Sequence, residues 1–154
     1  MTPELKAQIH HVRQKLADHG DPTVGFLAPP SLKQSFPPEI PLVYQQFLRE
    51  ADGAACGVVI LFESENLVRQ QTPAKSLPGG RQKWFCFGSV EDYPLVLEIK
   101  TGAVHLLPVE GDFDPDDALG DLDSFLLSSV FGEEYADFVV LAEDDAWYQL
   151  ITRA

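Results

Sequence analysis

From Thr101 to Thr152 the chain contains neither lysine nor arginine. Thirteen of its twenty-four acidic residues lie between 110 and 154, where Arg153 is the one cation. That segment carries a net charge of about −12, whereas residues 1–109, with ten basic and eleven acidic groups, carry about −1. No cationic patch is present to displace the counterions of a nucleic acid or to approach anionic lipid, so neither is an expected partner. Cysteine is equally scarce: Cys56 and Cys86 stand alone among apolar neighbours, outside any Cys-x-x-Cys spacing, and read as free buried thiols. No apolar run approaches the length of a membrane span, and the opening Met1-Thr2-Pro3-Glu4 lacks the features of a secretory signal, so a cytoplasmic protein is expected. A phosphate loop, a His-Glu-x-x-His helix, a dinucleotide fingerprint and a nucleophile elbow are all missing. The four histidines do not gather, so no catalytic residue, metal or cofactor is assigned and an enzyme is not expected.

What is present fits one domain. At 154 residues and 45% hydrophobic, the chain has enough apolar surface for a sizeable core. Thr2 and Pro3 form a helix start, Leu5, Ile9, Val12 and Leu16 recur on one helical face, and Gly20 stops the helix. Six prolines between 21 and 41 predict an extended connection docked by Phe26, Leu27 and Phe36. A second helix is expected from Pro41 to Ala51, burying Leu42, Val43, Phe47 and Leu48 and ended by Asp52-Gly53. Val58 to Phe62 reads as a buried strand, and Glu63 to Lys83 as a loop. Strands are expected at Trp84–Gly88, Tyr93–Ile99 and Ala103–Leu107, with a hairpin turn at Lys100-Thr101-Gly102. Alternation places Trp84 and Cys86 on one face and Phe85 and Phe87 on the other, with both faces covered. A helix follows the Asp121 cap through Leu122 and Phe125, and Tyr135 to Ile151 holds further helix, although Phe138–Leu141 reads equally well as an edge strand. The fold class is α+β: an antiparallel meander with helices packed on one face, and Leu5, Ile9, Phe47, Leu48, Ile60, Phe87, Leu97 and Phe125 in a single core.

Taken in order, several of these segments resemble the SUKH superfamily, the Smi/Knr-type fold. They are Ile40-Pro41, Phe47-Leu48 and Asp52-Gly53, then Leu61-Phe62, the aromatic strand Trp84-Phe85-Cys86-Phe87-Gly88, Asp92 to Glu98, Thr101 to Val104, and Leu122-Asp123-Ser124-Phe125-Leu126-Leu127. The resemblance spans residues 40–130 and rests on the order of short motifs. Asp52 stands where the family has asparagine, and Glu91 where a glycine commonly precedes the acidic residue. The resemblance implies an α+β domain of the bacterial branch whose members are immunity proteins, small inhibitors of contact-delivered toxins. It also implies a possible groove formed by Trp84, Gly88, Glu91, Asp92 and Tyr93.

The acidic third suggests the partner: a basic toxin such as a nuclease, bound without catalysis. Asp112, Asp114, Asp116, Asp117, Asp121, Glu133, Glu134, Asp137, Asp144 and Asp145 would steer encounter, with Phe113, Tyr135 and Trp147 as aromatic anchors. A regulatory or scaffold module and a small-ligand binder using a groove beside Trp84 and Asp92 are the alternatives, and monomer and homodimer are both open. Asp112, Asp114, Asp116 and Asp123 fall at positions 1, 3, 5 and 12 of a calcium loop, but Asp117 replaces the glycine of position 6 and Pro115 stiffens the turn, so calcium is not expected.

Overall fold

The computed structural model describes residues 1–108 and 110–153. Helix α1 (Pro3–His19) begins where the Thr2 side chain accepts the Leu5 amide, and it ends at Gly20 in a left-handed conformation of φ +75°. Leu5, Ile9 and Val12 are buried and Leu16 packs half-buried against them, as their spacing predicts. In the proline-rich stretch that follows, Leu27 and Phe36 dock as expected, but Gly25–Leu27 forms a strand, β1, and Phe26 projects outward with 57% of its surface exposed. Neighbouring strand residues point to opposite faces, so burying Leu27 turns Phe26 out.

Helix α2 (Leu42–Glu50) buries Tyr44, Phe47 and Leu48, while Leu42 and Val43, expected inside, are exposed. Tyr44 fixes this rotation: its ring packs between Phe47 and Phe87, and its hydroxyl donates to the Phe62 carbonyl at 2.6 Å.

Strands β2 (Ala54–Cys56), β3 (Val59–Leu61), β4 (Trp84–Val90), β5 (Tyr93–Glu98) and β6 (Val104–Leu106) complete a six-stranded antiparallel sheet whose spatial order follows the chain, β1 to β6. The fold is therefore α+β with an antiparallel meander. On one face Phe85, Phe87, Leu95 and Leu97 meet α1, α2 and the C-terminal helices. On the other, Trp84, Cys86 and Val96 pack with Ala74 and Leu107 in a separate, smaller cluster. The alternation read from residues 84–87 holds, and the core is divided in two by the sheet.

Closing that second face falls to residues 63–83. Rather than a loop, they form a chain of helical turns: α3 (Ser64–Leu67), a 3-10 turn at Val68–Gln70, α4 (Thr72–Lys75) and α5 (Gly80–Lys83). On β3, Val59 and Leu61 take the buried face, so Ile60 between them, expected in the core, turns the other way and lies 39% exposed between Ala55 and Ser89. Between Cys86 and Gly88 strand β4 bulges, leaving Phe87 without a partner residue on β5.

After the acidic loop, Asp121 caps α6 (Leu122–Phe125), which continues as a wide π-type turn over Leu126–Val130. Short 3-10 turns at Glu133–Phe138 and Ala142–Asp144 lead to α7 (Ala146–Thr152), and residues 139–141 belong to no strand. Among the described residues, no helix is long and apolar enough to cross a membrane.

Candidate protein-binding surface

The acidic residues of the last third, contiguous in sequence, are separated in space by the sheet. The first group sits on the loop before α6. Asp112, Asp114, Asp116 and Asp117 are exposed there, and the Asp114 carboxylate accepts the Asp116 amide at 2.9 Å, shaping the turn. Phe113 holds the loop down by setting its ring edge-on to Trp84 at 5.1 Å and to His105 at 5.4 Å. It is half-buried in the smaller cluster and so acts first as the loop's own anchor. Among the described residues, no group of three or more His, Cys, Asp or Glu side chains is arranged to hold a metal ion.

The second group lies on the opposite side, over the larger cluster, to which Phe138 and Val139 attach. Glu133, Glu134, Asp137, Glu143 and Asp144 are exposed. Glu133 and Glu134 occupy the first turn of the 3-10 segment, where a carboxylate meets unpaired amide groups.

Other acids are occupied structurally. Asp121 accepts the Ser124 amide at 2.8 Å, Asp145 accepts the Tyr148 amide at 2.9 Å at the start of α7, and Asp123 accepts the Thr2 amide at 2.7 Å, tying α6 to the N-terminus. Of the described acids beyond residue 110, Asp123 alone has an ion pair, to the terminal ammonium at 4.0 Å.

Two expected anchors are not on the surface. Tyr135 is fully buried, its hydroxyl accepting the Val58 amide at 2.9 Å and donating to Asp145 at 3.2 Å. Burial pushes that phenol well above its ordinary range. Trp147 is 1% exposed, donates its indole N–H to the Val130 carbonyl at 2.8 Å, and packs so closely on Gly25 that a Cβ there would collide with its ring. Aromatic side chains in an acidic segment resemble interface composition, but these two are the apolar feet that attach the segment to the sheet.

The supposed groove is not formed either. Trp84 and Tyr93 stand at opposite ends of the β4–β5 hairpin, since Trp84 pairs with Glu98 and Val90 with Tyr93. Five residue steps along β5, or six along β4, roughly 17–20 Å, separate them. Trp84 is buried, with its indole N–H on the Pro78 carbonyl at 2.9 Å. Gly88 is a packing glycine, because a Cβ would strike the Ile60 carbonyl oxygen. Glu91 and Asp92 form the exposed hairpin tip and Tyr93 is 38% exposed.

What the tertiary structure does assemble is a depression of about 470 Å³ in which Glu91 joins Val139, Val140, Leu141, Asp144 and Asp145. Val140 and Leu141 are 93% and 68% exposed. The hydrophobicity of residues 138–141 was legible as a helix or strand signal; that its end points to solvent was not. Neither a protein-family model nor a curated protein matches the chain.

Among the described residues, one hydroxyl lies beside an amine: the buried Ser64 accepts from the Lys33 ammonium at 3.0 Å and donates to the Asp52 carboxylate at 3.0 Å. Cys56 and Cys86 are buried, free and shifted by desolvation away from the thiolate, Cys86 to about 11. His105, the buried histidine, is pushed down by burial. The surface here carries exposed carboxylates and the exposed apolar pair Val140–Leu141.

Proposed function

We propose that this chain is a cytoplasmic immunity protein of the SUKH type, which binds and neutralises a cognate basic toxin, such as a nuclease, by occupying its cationic surface. The reading rests on the order of short motifs described above and on one structural observation: the exposed carboxylates of the last third stand without compensating lysine or arginine from Thr101 to Thr152. An excess of like charge on this scale opposes folding even when shared between two sides of the sheet, and steering a cationic protein is a use for it that needs no further group. Fold alone assigns no function, and the argument therefore lives on the surface.

The test is protection. A toxin domain encoded beside this gene, expressed in a host cell, should arrest growth alone and not when this protein is co-expressed. The purified pair should associate faster at low salt. Growth arrest that persists despite soluble co-expression, together with no complex between the purified proteins, would overturn the reading.

A further inference from the structure

Two described residues other than glycine adopt the left-handed backbone conformation: Glu91 at φ +54° and Leu141 at φ +58°. Glycine takes this conformation freely, and a residue with a Cβ does so at a cost. Both line the same depression. Glu91 is the first tip residue of the two-residue hairpin between Val90 and Tyr93, a place that favours glycine. Leu141 precedes the Ala142–Asp144 turn, its carbonyl accepting the Asp144 amide at 2.9 Å.

Neither side chain works for the interior. Glu91 is exposed, Leu141 is mostly exposed, and Val140 beside it is almost wholly so. The support beneath is rigid. The Glu91 amide donates to the Val58 carbonyl at 2.7 Å, Val58 in turn is held by Tyr135, Phe138 packs on Phe125, and Ala142 is buried. Strain held on a firm frame, at side chains the fold does not use, is the pattern of a recognition feature. Charge then selects the occupant. Around the apolar tip the depression is lined by Glu91, Asp144 and Asp145, with no cation in its own segment, so it complements a cationic surface that offers an apolar recess.

We propose that the Val140–Leu141 tip, with Glu91 beside it, is the centre of the interface with a basic protein partner, and that the Asp112–Asp117 loop across the sheet is not. The inference rests on the reading of a basic partner given above.

The probes are two synthetic octapeptide amides, one with a Phe-Leu pair flanked by lysines on each side and one of lysine only, titrated into the ¹⁵N-labelled protein. The Phe-Leu peptide should bind about tenfold tighter than the lysine peptide and shift the resonances of Glu91, Val140, Leu141 and Asp144. Leu141→Gly and Val140→Ser should each remove that advantage, and the thermal midpoints of Leu141→Gly and Glu91→Gly should equal or exceed that of the wild type. Equal affinity for the two peptides, or shifts centred on Asp112 to Asp117, would overturn the tip and leave the basic-partner reading standing. Binding of neither peptide would overturn both. Glycine variants that melt below the wild type would overturn the strain argument on which the tip was chosen.

Discussion

The side chain of Gln71 stands in for a strand neighbour of Cys86. Its carbonyl oxygen accepts the Cys86 amide at 2.9 Å, and its amide donates to the Cys86 carbonyl at 2.8 Å and to the Leu67 carbonyl at 2.8 Å. Strand β3 ends at Leu61, opposite Gly88, so the edge of β4 beyond the bulge has no strand beside it. A buried backbone group without a partner is costly, and the Gln71 amide supplies both complements from residues 63–83.

Replacing Gln71 with leucine, which has similar bulk, would leave the Cys86 amide and carbonyl unpaired and should cost about 2–4 kcal/mol. The urea midpoint should fall while the slope of the transition stays unchanged. A midpoint equal to wild type would show that water or a shifted strand satisfies Cys86 instead.

Tyr135→Phe removes the hydroxyl that accepts from Val58 and donates to Asp145, at no cost in packing. A loss of about 1–2 kcal/mol is expected, with Asp145 still capping α7. Because the ring is buried, the variant should associate with a basic partner as fast as wild type. Kinetics that slow while stability holds would return Tyr135 to the interface.

His105 provides the pH test. Its ring is 1% exposed and sits edge-on to Trp84 at 5.2 Å, and neither ring nitrogen completes a hydrogen bond of good geometry among the described residues, although the Asp117 backbone approaches the ring. Desolvation holds its pKa below the ordinary 6.5, against the smaller opposite pull of Glu98 on β5 and of Asp117 and Asp114 on the loop. The unfolded chain therefore binds a proton at a higher pH than the folded one. Stability contributed by the neutral ring is complete above about pH 6.5 and declines as pH falls through the window between that value and the lower folded value. His105→Leu should remove this part of the slope and raise stability near pH 5.5, which melts across pH 5–8 would read directly. An unchanged slope would locate the acid sensitivity elsewhere.

Neutralising Asp112, Asp114, Asp116 and Asp117 together to asparagine bears on steering. These side chains are exposed, so thermal stability should stay the same or rise as repulsion falls. Association with a basic toxin should slow and lose part of its salt dependence, while dissociation changes little. Stopped-flow traces unaltered by the change would leave solubility as the role of that loop.

Several elements were fixed by local chemistry and so were legible in the chain. Thr2, Pro3 and Gly20 bound α1 because caps act on their own backbone, and the alternation at residues 84–87 follows from strand geometry alone. The charge gap from Thr101 to Thr152 is a property of composition. Strands β1 and β2, at three residues each, were too short to give a periodic signal, and they exist because β3 and β4 extend the sheet to them. Tertiary packing also decided the rotation of α2 through Tyr44, the choice of Val59 and Leu61 over Ile60 for the buried face of β3, and the burial of Tyr135 and Trp147. It divided the acids between two sides of the sheet and brought Glu91 to Leu141, fifty residues away in sequence. Periodicity says which residues share a face; which face finds a neighbour depends on distant segments, and the candidate site, made of faces that found none, could be located only once the packing was known.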